Sequence, residues 1–195
     1  MPSSRRSIRC GGAFTSAGYG EVILPGIWEQ ATFVEKAGAG ILAQMYAFGD
    51  KAGRPVCLIP EATAVVRQLY LSGWDRSLPK PVRIFYVAKC WRYERPQSGR
   101  WREFTQFGVE LLGGSPPGDK EEVVRILGEV LDLSGAPWRL VPAVKRGLDY
   151  YIEDGFEAEC DLLGAQKQVA GGGRYDCGVG FAVGVDRLAL ATARR

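Results

Sequence analysis

The chain has 195 residues, 46% hydrophobic and 24% charged, with a formal net charge of +3. This is a globular composition, long enough for one domain over residues 1–195 with a core of its own. It has no apolar run that could cross a membrane, and its mild positive charge permits a nucleic-acid partner without arguing for one.

Five cysteines with no CxxC pair indicate free thiols in a reducing, cytoplasmic setting. The sequence contains no histidine. With no clustered cysteines either, a zinc site is not expected. The usual neutral-pH acid–base group is also missing, so any catalysis must run on positioning and fixed charge. The leading MPSSRRSIRCGG has basic residues but no apolar segment behind them, which is not the pattern of a secretory signal.

Residues up to Gly18 read as a short helical or irregular lead-in. Tyr19 to Leu24 reads as a strand stopped by Pro25, and Ile27 to Lys36 as a helix broken by Gly38 and Gly40. MYAF and PVCLI are strands joined by the turn-rich GDKAGR. Ala62 to Leu71 follows Pro60 as a helix with Val65, Val66, Leu69 and Tyr70 on its apolar side, ended by Ser72-Gly73. Glu61 and Thr63 stand at the strand-to-helix junction, where an acidic residue also reads simply as a helix cap.

The segment VRIFYVAKCWRYE alternates, with Phe85, Val87, Trp91 and Tyr93 on one face and Cys90, Arg92 and Glu94 on the other. Past a charged loop, Thr105, Phe107, Val109 and Leu111 make an apolar face, opposite Gln106, Gly108 and Glu110. One side of this hairpin is apolar. The other carries Arg92, Glu94, Gln106 and Glu110, with Gly108 leaving room between the last two. Such a face is a poor core and a plausible floor for a small charged ligand; a solvated polar face is the plainer alternative.

LLGGSPPGD is a loop. Asp119 then opens a helix, with Glu122 completing a capping-box pattern. The stripe Val123, Val124, Leu127, Val130 and Leu131 faces a core, and Gly135 is the stop. Trp138 to Val144 is a strand candidate. Phe156 to Leu163 and Gln166 to Ala170 read as paired strands around Gly164-Ala165, followed by the glycine-rich loop GGGRYD, whose glycines admit a close ligand. Phe181 to Val183 is a strand, Gly184 a turn, and Val185 to Ala193 a helix. Arg187 lies in that helix's first turn, where the dipole disfavours a cation. A bound anion accounts for it, and so does pairing with Asp186.

The run RYERPQSGRWREFTQFGVE, Arg92 to Glu110, closely resembles motif 2 of class II aminoacyl-tRNA synthetases in the form carried by the histidyl-tRNA synthetase family. RGLDYY, Arg146 to Tyr151, and GGGRYD, Gly171 to Asp176, resemble that family's two histidine-specific motifs. GVGFAVGVDRLALATARR resembles motif 3, PEAT at Pro60 to Thr63 the family's PE-x-T signature, and Pro25 the proline that ends motif 1 at the dimer interface. The resemblance implies an α+β fold, with an antiparallel sheet of about six strands flanked by helices, in a homodimer.

It also implies ATP, with Mg2+, as co-substrate, histidine as substrate, and contact between Gln97 to Trp101 and the tRNA acceptor end. By the same resemblance, Arg92 and Arg146 grip the α-phosphate, Arg100 and Arg187 hold the β and γ groups, and Glu94 faces adenine. Glu61 and Thr63 contact the amino acid, Gln106 and Glu110 supply acceptors for it, and Tyr150 and Tyr151 line its pocket.

There are departures. Glu110 and Arg146 stand 36 positions apart (146 minus 110), which leaves no room for the family's insertion. The stretch between GGGRYD and motif 3 is cut to Cys177–Gly180, and no anticodon-binding domain follows motif 3. Ile152 to Gly155 replaces the usual threonine and glycine and brings two extra carboxylates beside the pocket. Two alternatives to a histidine-activating enzyme follow: a non-catalytic histidine-binding paralogue acting as regulatory subunit of ATP phosphoribosyltransferase, and an aminoacyl ligase with an acceptor other than tRNA.

Overall fold

The computed structural model describes residues 14–15, 17–34, 41–145 and 151–194. Its centre is a seven-stranded sheet in the order β1-β5-β6-β10-β9-β8-β7. The strands are β1 (Gly20–Glu21), β5 (Val82–Trp91), β6 (Glu103–Leu112), β7 (Arg139–Val144), β8 (Gly155–Glu159), β9 (Gln168–Tyr175) and β10 (Gly178–Gly184). β1 runs parallel to β5; every other neighbouring pair is antiparallel. β2 (Ile27–Glu29), β3 (Ala47–Gly49) and β4 (Pro55–Leu58) form a second sheet in the order β2-β4-β3.

The helices are α1 (Ala31–Val34), α2 (Thr63–Leu69), α3 (Gly118–Ser134) and α4 (Val185–Ala193). The architecture is α+β, as expected, with one more strand in the main sheet and a small sheet beside it.

Partners across a ladder project to the same face, so the register sorts the sheet. Phe85, Val109, Phe181, Gly172 and Phe156 form one row. The helix α3 covers this face, burying Val123, Ile126, Leu127 and Leu131 against Phe85, Val109, Phe156 and Phe181. On the opposite face lie two rows, Tyr86-Gly108-Ala182-Gly171-Glu157 and Ile84-Glu110-Gly180-Gly173. The helix α2 and Ile59 cover only the β5 end of that face, with Val65, Val66 and Tyr70 packed against Ile84, Tyr86 and Ala88. Glycine and alanine therefore pave a strip of sheet over β10 and β9 that none of the described helices fills.

Several expectations are corrected. Ile27–Glu29 is a strand because it pairs with Val56–Leu58, and the helix after it is described over Ala31–Val34. The strand expected over Tyr19 to Leu24 is only Gly20–Glu21. The helix itself stops at Leu69, a little before Ser72-Gly73; a wide turn over Tyr70–Trp74 follows, its backbone breaking from helical geometry at Gly73 as expected, and a short helix over Asp75–Ser77 comes after it. Asp119 and Glu122 form no capping box, since α3 starts at Gly118 without a side-chain cap. Gly171 to Tyr175 of GGGRYD form the second half of strand β9, not a loop, and Asp176 begins the turn after it. By contrast, Gly135 does end α3, at φ 72°, the left-handed region glycine tolerates.

Glu122 instead ties α3 to the sheet. Its carboxylate accepts from Tyr19 Oη at 2.6 Å and from Arg83 Nε and Nη2 at 2.8 and 2.9 Å. Glu122→Ala leaves both donors unpaired and is expected to cost about 1–2 kcal/mol, read by urea denaturation at neutral pH. The Arg83 and Tyr19 bonds hold the Glu122 carboxyl below its ordinary pKa of 4.5. Its contribution is therefore present above 4.5 and lost as pH falls, so the mutant deficit should shrink in acid.

Candidate functional site

Arg92 follows the end of β5, and its backbone N–H still reaches Arg102 O at 2.8 Å. Its Nε donates to Pro60 O at 2.8 Å, and its guanidinium lies 5.2 Å from the Phe104 ring centroid. Arg100 comes from the turn Gln97–Arg100, whose two ends exchange backbone hydrogen bonds. It meets Glu94 at 3.3 Å and Gln166 at 3.4 Å, while its Nε is buried with no hydrogen-bond partner. Arg187, in the first turn of α4, donates from Nε to Gly99 O at 2.6 Å and from Nη1 to Gln168 O at 3.1 Å. It does not pair with Asp186, whose carboxylate accepts from Thr105 N at 2.6 Å.

These three arginines line one cleft of about 290 Å³, with Glu94, Phe104 and Gln106 among the other walls. Burial, with Arg100 and Arg92 alongside, pulls the Arg187 guanidinium below its ordinary pKa. Three cations converging on a bare strip of sheet, one with an orphaned donor, form a site for an anion.

The remaining expected residues form a second, buried knot next to the cleft. Glu110 is fully buried. Its Oε1 accepts from Thr63 Oγ1 at 2.7 Å and Tyr86 Oη at 3.3 Å, and its Oε2 from Tyr175 Oη at 2.8 Å. Glu61 stands just before α2 and accepts from Thr63 N and Ala64 N, both at 2.9 Å, so the capping role is realised. Gln106 bridges the two regions. Its Oε1 takes the Ala62 N–H at 3.0 Å and the Cys90 thiol at 3.3 Å. Both lone pairs are then used, and what Gln106 can offer a ligand is its amide N–H, not the acceptor expected of it.

Tyr151 bridges Tyr175 and lies over Gly173, whose added Cβ would sit 2.8 Å from Tyr151 Cδ1. Arg146 and Tyr150 lie outside the described residues. Glu153, one of the two extra carboxylates, is turned to Lys120 at 2.7 Å and Arg174 at 3.6 Å.

Phe104, Gln166 and Gln168 were missed by the sequence reading. Phe104 was within its reach, two positions before Gln106 on the same strand face.

Burial raises the Glu110 carboxyl from 4.5 to about 8. A carboxyl whose pKa is raised on folding favours the folded state below 4.5 and loses that advantage as pH rises toward about 8. Glu110→Gln removes the titration. Its melting temperature relative to the parent should rise steadily across that window, and parallel melting curves would refute the shift.

The fold is that of class II aminoacyl-tRNA synthetase catalytic domains. The apo histidyl-tRNA synthetase of S. aureus superposes with a TM-score of 0.80 at 24% identity, covering 100% of this chain and 68% of that one. The Desulfitobacterium hafniense pyrrolysyl-tRNA synthetase superposes at 0.74 with 19% identity, covering 94% and 67%. A Bacillus halodurans protein described as an ATP phosphoribosyltransferase regulatory subunit/histidyl-tRNA synthetase gives 0.79 at 16% identity, covering 95% and 77%.

A family profile described as Histidyl-tRNA synthetase matches residues 5–141. The histidine–tRNA ligase of Methanospirillum hungatei is 31% identical over 276 residues, covering 89% of this chain and 67% of that protein. That of Methanocorpusculum labreanum is 47% identical over 118 residues, covering 60% and 28%. The chain belongs to the histidyl-tRNA synthetase family.

It spans at most about two thirds of the relatives it matches. The 276-position alignment uses about 174 residues of this chain (89% of 195), so about 100 positions of the relative have no counterpart here.

Proposed function

We propose that this chain binds ATP and histidine and joins them as histidyl-adenylate. The observation that carries the reading is the convergence of Arg92, Arg100 and Arg187 on one cleft, with the Arg100 Nε buried and unpartnered. In the reaction a carboxylate oxygen attacks the α-phosphorus in line. The bond from that phosphorus to the bridging oxygen breaks, and pyrophosphate leaves with the electron pair. No proton is transferred, so a protein without histidine can run it; what it requires is fixed positive charge and alignment.

Arg92, beside Pro60 and Gln106, serves the α-phosphate, together with Arg146. Arg100 and Arg187, at the outer end, serve the β and γ groups. Phe104 and Glu94 take the adenine. Glu110, Thr63, Tyr151 and the Gln106 amide N–H recognise the amino acid, with Tyr150 and Glu61 in support. Magnesium, which the family resemblance implies, would come with the nucleotide. Transfer to tRNA is the natural second step, with Gln97 to Trp101 at the acceptor end.

The test is ATP–pyrophosphate exchange with each standard amino acid. Exchange driven by histidine alone supports the reading. Exchange with another amino acid keeps the chemistry and removes the specificity. Histidine binding by calorimetry without exchange supports the second reading, a regulatory subunit of ATP phosphoribosyltransferase. The chain's span of only about two thirds of its histidine–tRNA ligase relatives favours that alternative. A ligase for another acceptor would show exchange without tRNA charging.

We also propose a homodimer through the Pro25 region, where Ile23 is 90% exposed and Ile27 and Phe48 are exposed beside it. Light scattering at micromolar concentration should give twice the chain mass, and a monomer would refute it.

A further inference from the structure

Tyr86 sits in the middle of β5 and is fully buried. It pairs in register with Gly108, and its ring lies across that glycine: a Cβ added at Gly108 would overlap the Tyr86 ring and hydroxyl. Its hydroxyl thereby reaches Glu110 Oε1 at 3.3 Å and Thr63 Oγ1 at 3.4 Å. Gly108 does not open space between Gln106 and Glu110 for a ligand; it opens space for Tyr86.

The lone pairs of Glu110 can be counted for its ionised form, which a bound N–H donor favours although burial favours the neutral carboxyl in the free protein. Oε1 is met twice, by Thr63 and Tyr86, and Oε2 once, by Tyr175. Among the described residues one acceptor position is left, on Oε2, which lies directly over Gly180. The groups around the carboxyl are Thr63 and Glu61 from the α2 side, Tyr86 from β5, Tyr175 from β9 and Cys177 beyond it. None is a cation. Hydroxyls orient a carboxyl without neutralising it, whereas an arginine partner would consume the charge a ligand could use.

We propose that Tyr86 is a positioning residue for the amino-acid pocket: its hydroxyl saturates Glu110 Oε1 and so directs Oε2 alone toward a side chain that donates an N–H, such as an imidazole. The inference rests on reading this pocket as the amino-acid site. Tyr86→Phe keeps the ring over Gly108 and removes only the donor.

Carbon-13 NMR of glutamate-labelled full chain, with the Glu110 signal assigned through Glu110→Gln, reads its titration directly. Loss of a donor to the charged form should move the Glu110 titration to higher pH in Tyr86→Phe, and further in Tyr175→Phe, whose bond is shorter. In exchange assays, KM for the amino acid should rise about threefold to tenfold with kcat held within about twofold. An unchanged or lowered titration in Tyr86→Phe overturns the inference, even if exchange is intact. Absence of exchange in the parent chain counts against the activation reading, while the titration still decides the role of Tyr86.

Discussion

Arg187→Ala is expected to lower the kcat/KM of ATP–pyrophosphate exchange by roughly 10²–10³-fold, the usual loss for one donor to developing charge in a water-poor site. Three features of Arg187 support this. Its guanidinium is held at both ends, by Gly99 O and Gln168 O, so its direction is set before any ligand arrives. It sits among Arg92 and Arg100, whose proximity and the burial of the group already depress its pKa. It also occupies the first turn of α4, where the helix dipole opposes a cation. An arrangement this unfavourable to charge in the free protein becomes favourable once an anion lies between the arginines.

The same two carbonyl bonds tie the Gln97–Arg100 turn to β9, so the substitution should also cost about 1 kcal/mol of stability. A melting curve separates that loss from the catalytic one. Arg187→Lys restores the charge but not the planar fork, and should recover only part of the rate. Exchange within threefold of the parent would remove Arg187 from the phosphate site.

Gly180→Ala is expected to lower stability by about 3 kcal/mol and the melting temperature by roughly 10 °C, and to abolish amino-acid binding. The new Cβ would overlap the Glu110 carboxylate and lie 2.6 Å from Val109 O. The backbone oxygen is part of the β10–β6 ladder and cannot move aside. The carboxylate is pinned by Thr63, Tyr86 and Tyr175, so it cannot swing away without breaking three hydrogen bonds. Gly184→Ala, at the far end of the same strand and on the same face, is the control. Its nearest neighbours would be 3.7 and 3.8 Å away, and its effect should stay within about 1 kcal/mol. Equal melting temperatures for the two variants would show that the knot around Glu110 is looser than these distances state.

The long periodic elements were legible in the sequence because their signals are local. The two strands of the β5–β6 hairpin, the stripe of α3 with Gly135 at its end, and the strand-to-helix step at Gly184 appear where expected, although Val87 and Tyr93 of the expected apolar face are exposed while Ala88 and Cys90 opposite them are buried under α2. The failures have one cause. Ile27–Glu29 has no local reason to be a strand and becomes one by pairing with β4. GGGRYD has low strand propensity, yet β8 and β10 flank it and hold it in the sheet. Glu122 carries the capping-box spacing, but Tyr19 and Arg83, distant in the chain, claim its carboxylate.

For the site, the sequence by itself determined the chemistry on offer: arginines suited to phosphate oxygens at Arg92, Arg100 and Arg187, carboxylates at Glu61, Glu94 and Glu110, and the glycines that keep a strip of sheet bare. Only the tertiary structure decided which of these atoms are free to act. Each Glu61 oxygen takes one N–H of α2, Gln106 changes from acceptor to donor, Glu153 turns to Lys120 and Arg174, and among the described residues Glu110 is left with one open acceptor position. The reason is that a hydrogen-bonding group is defined by its partners as much as by its type. The partners of Glu110 come from residues 63, 86 and 175, which meet only when the sheet and α2 have closed around them.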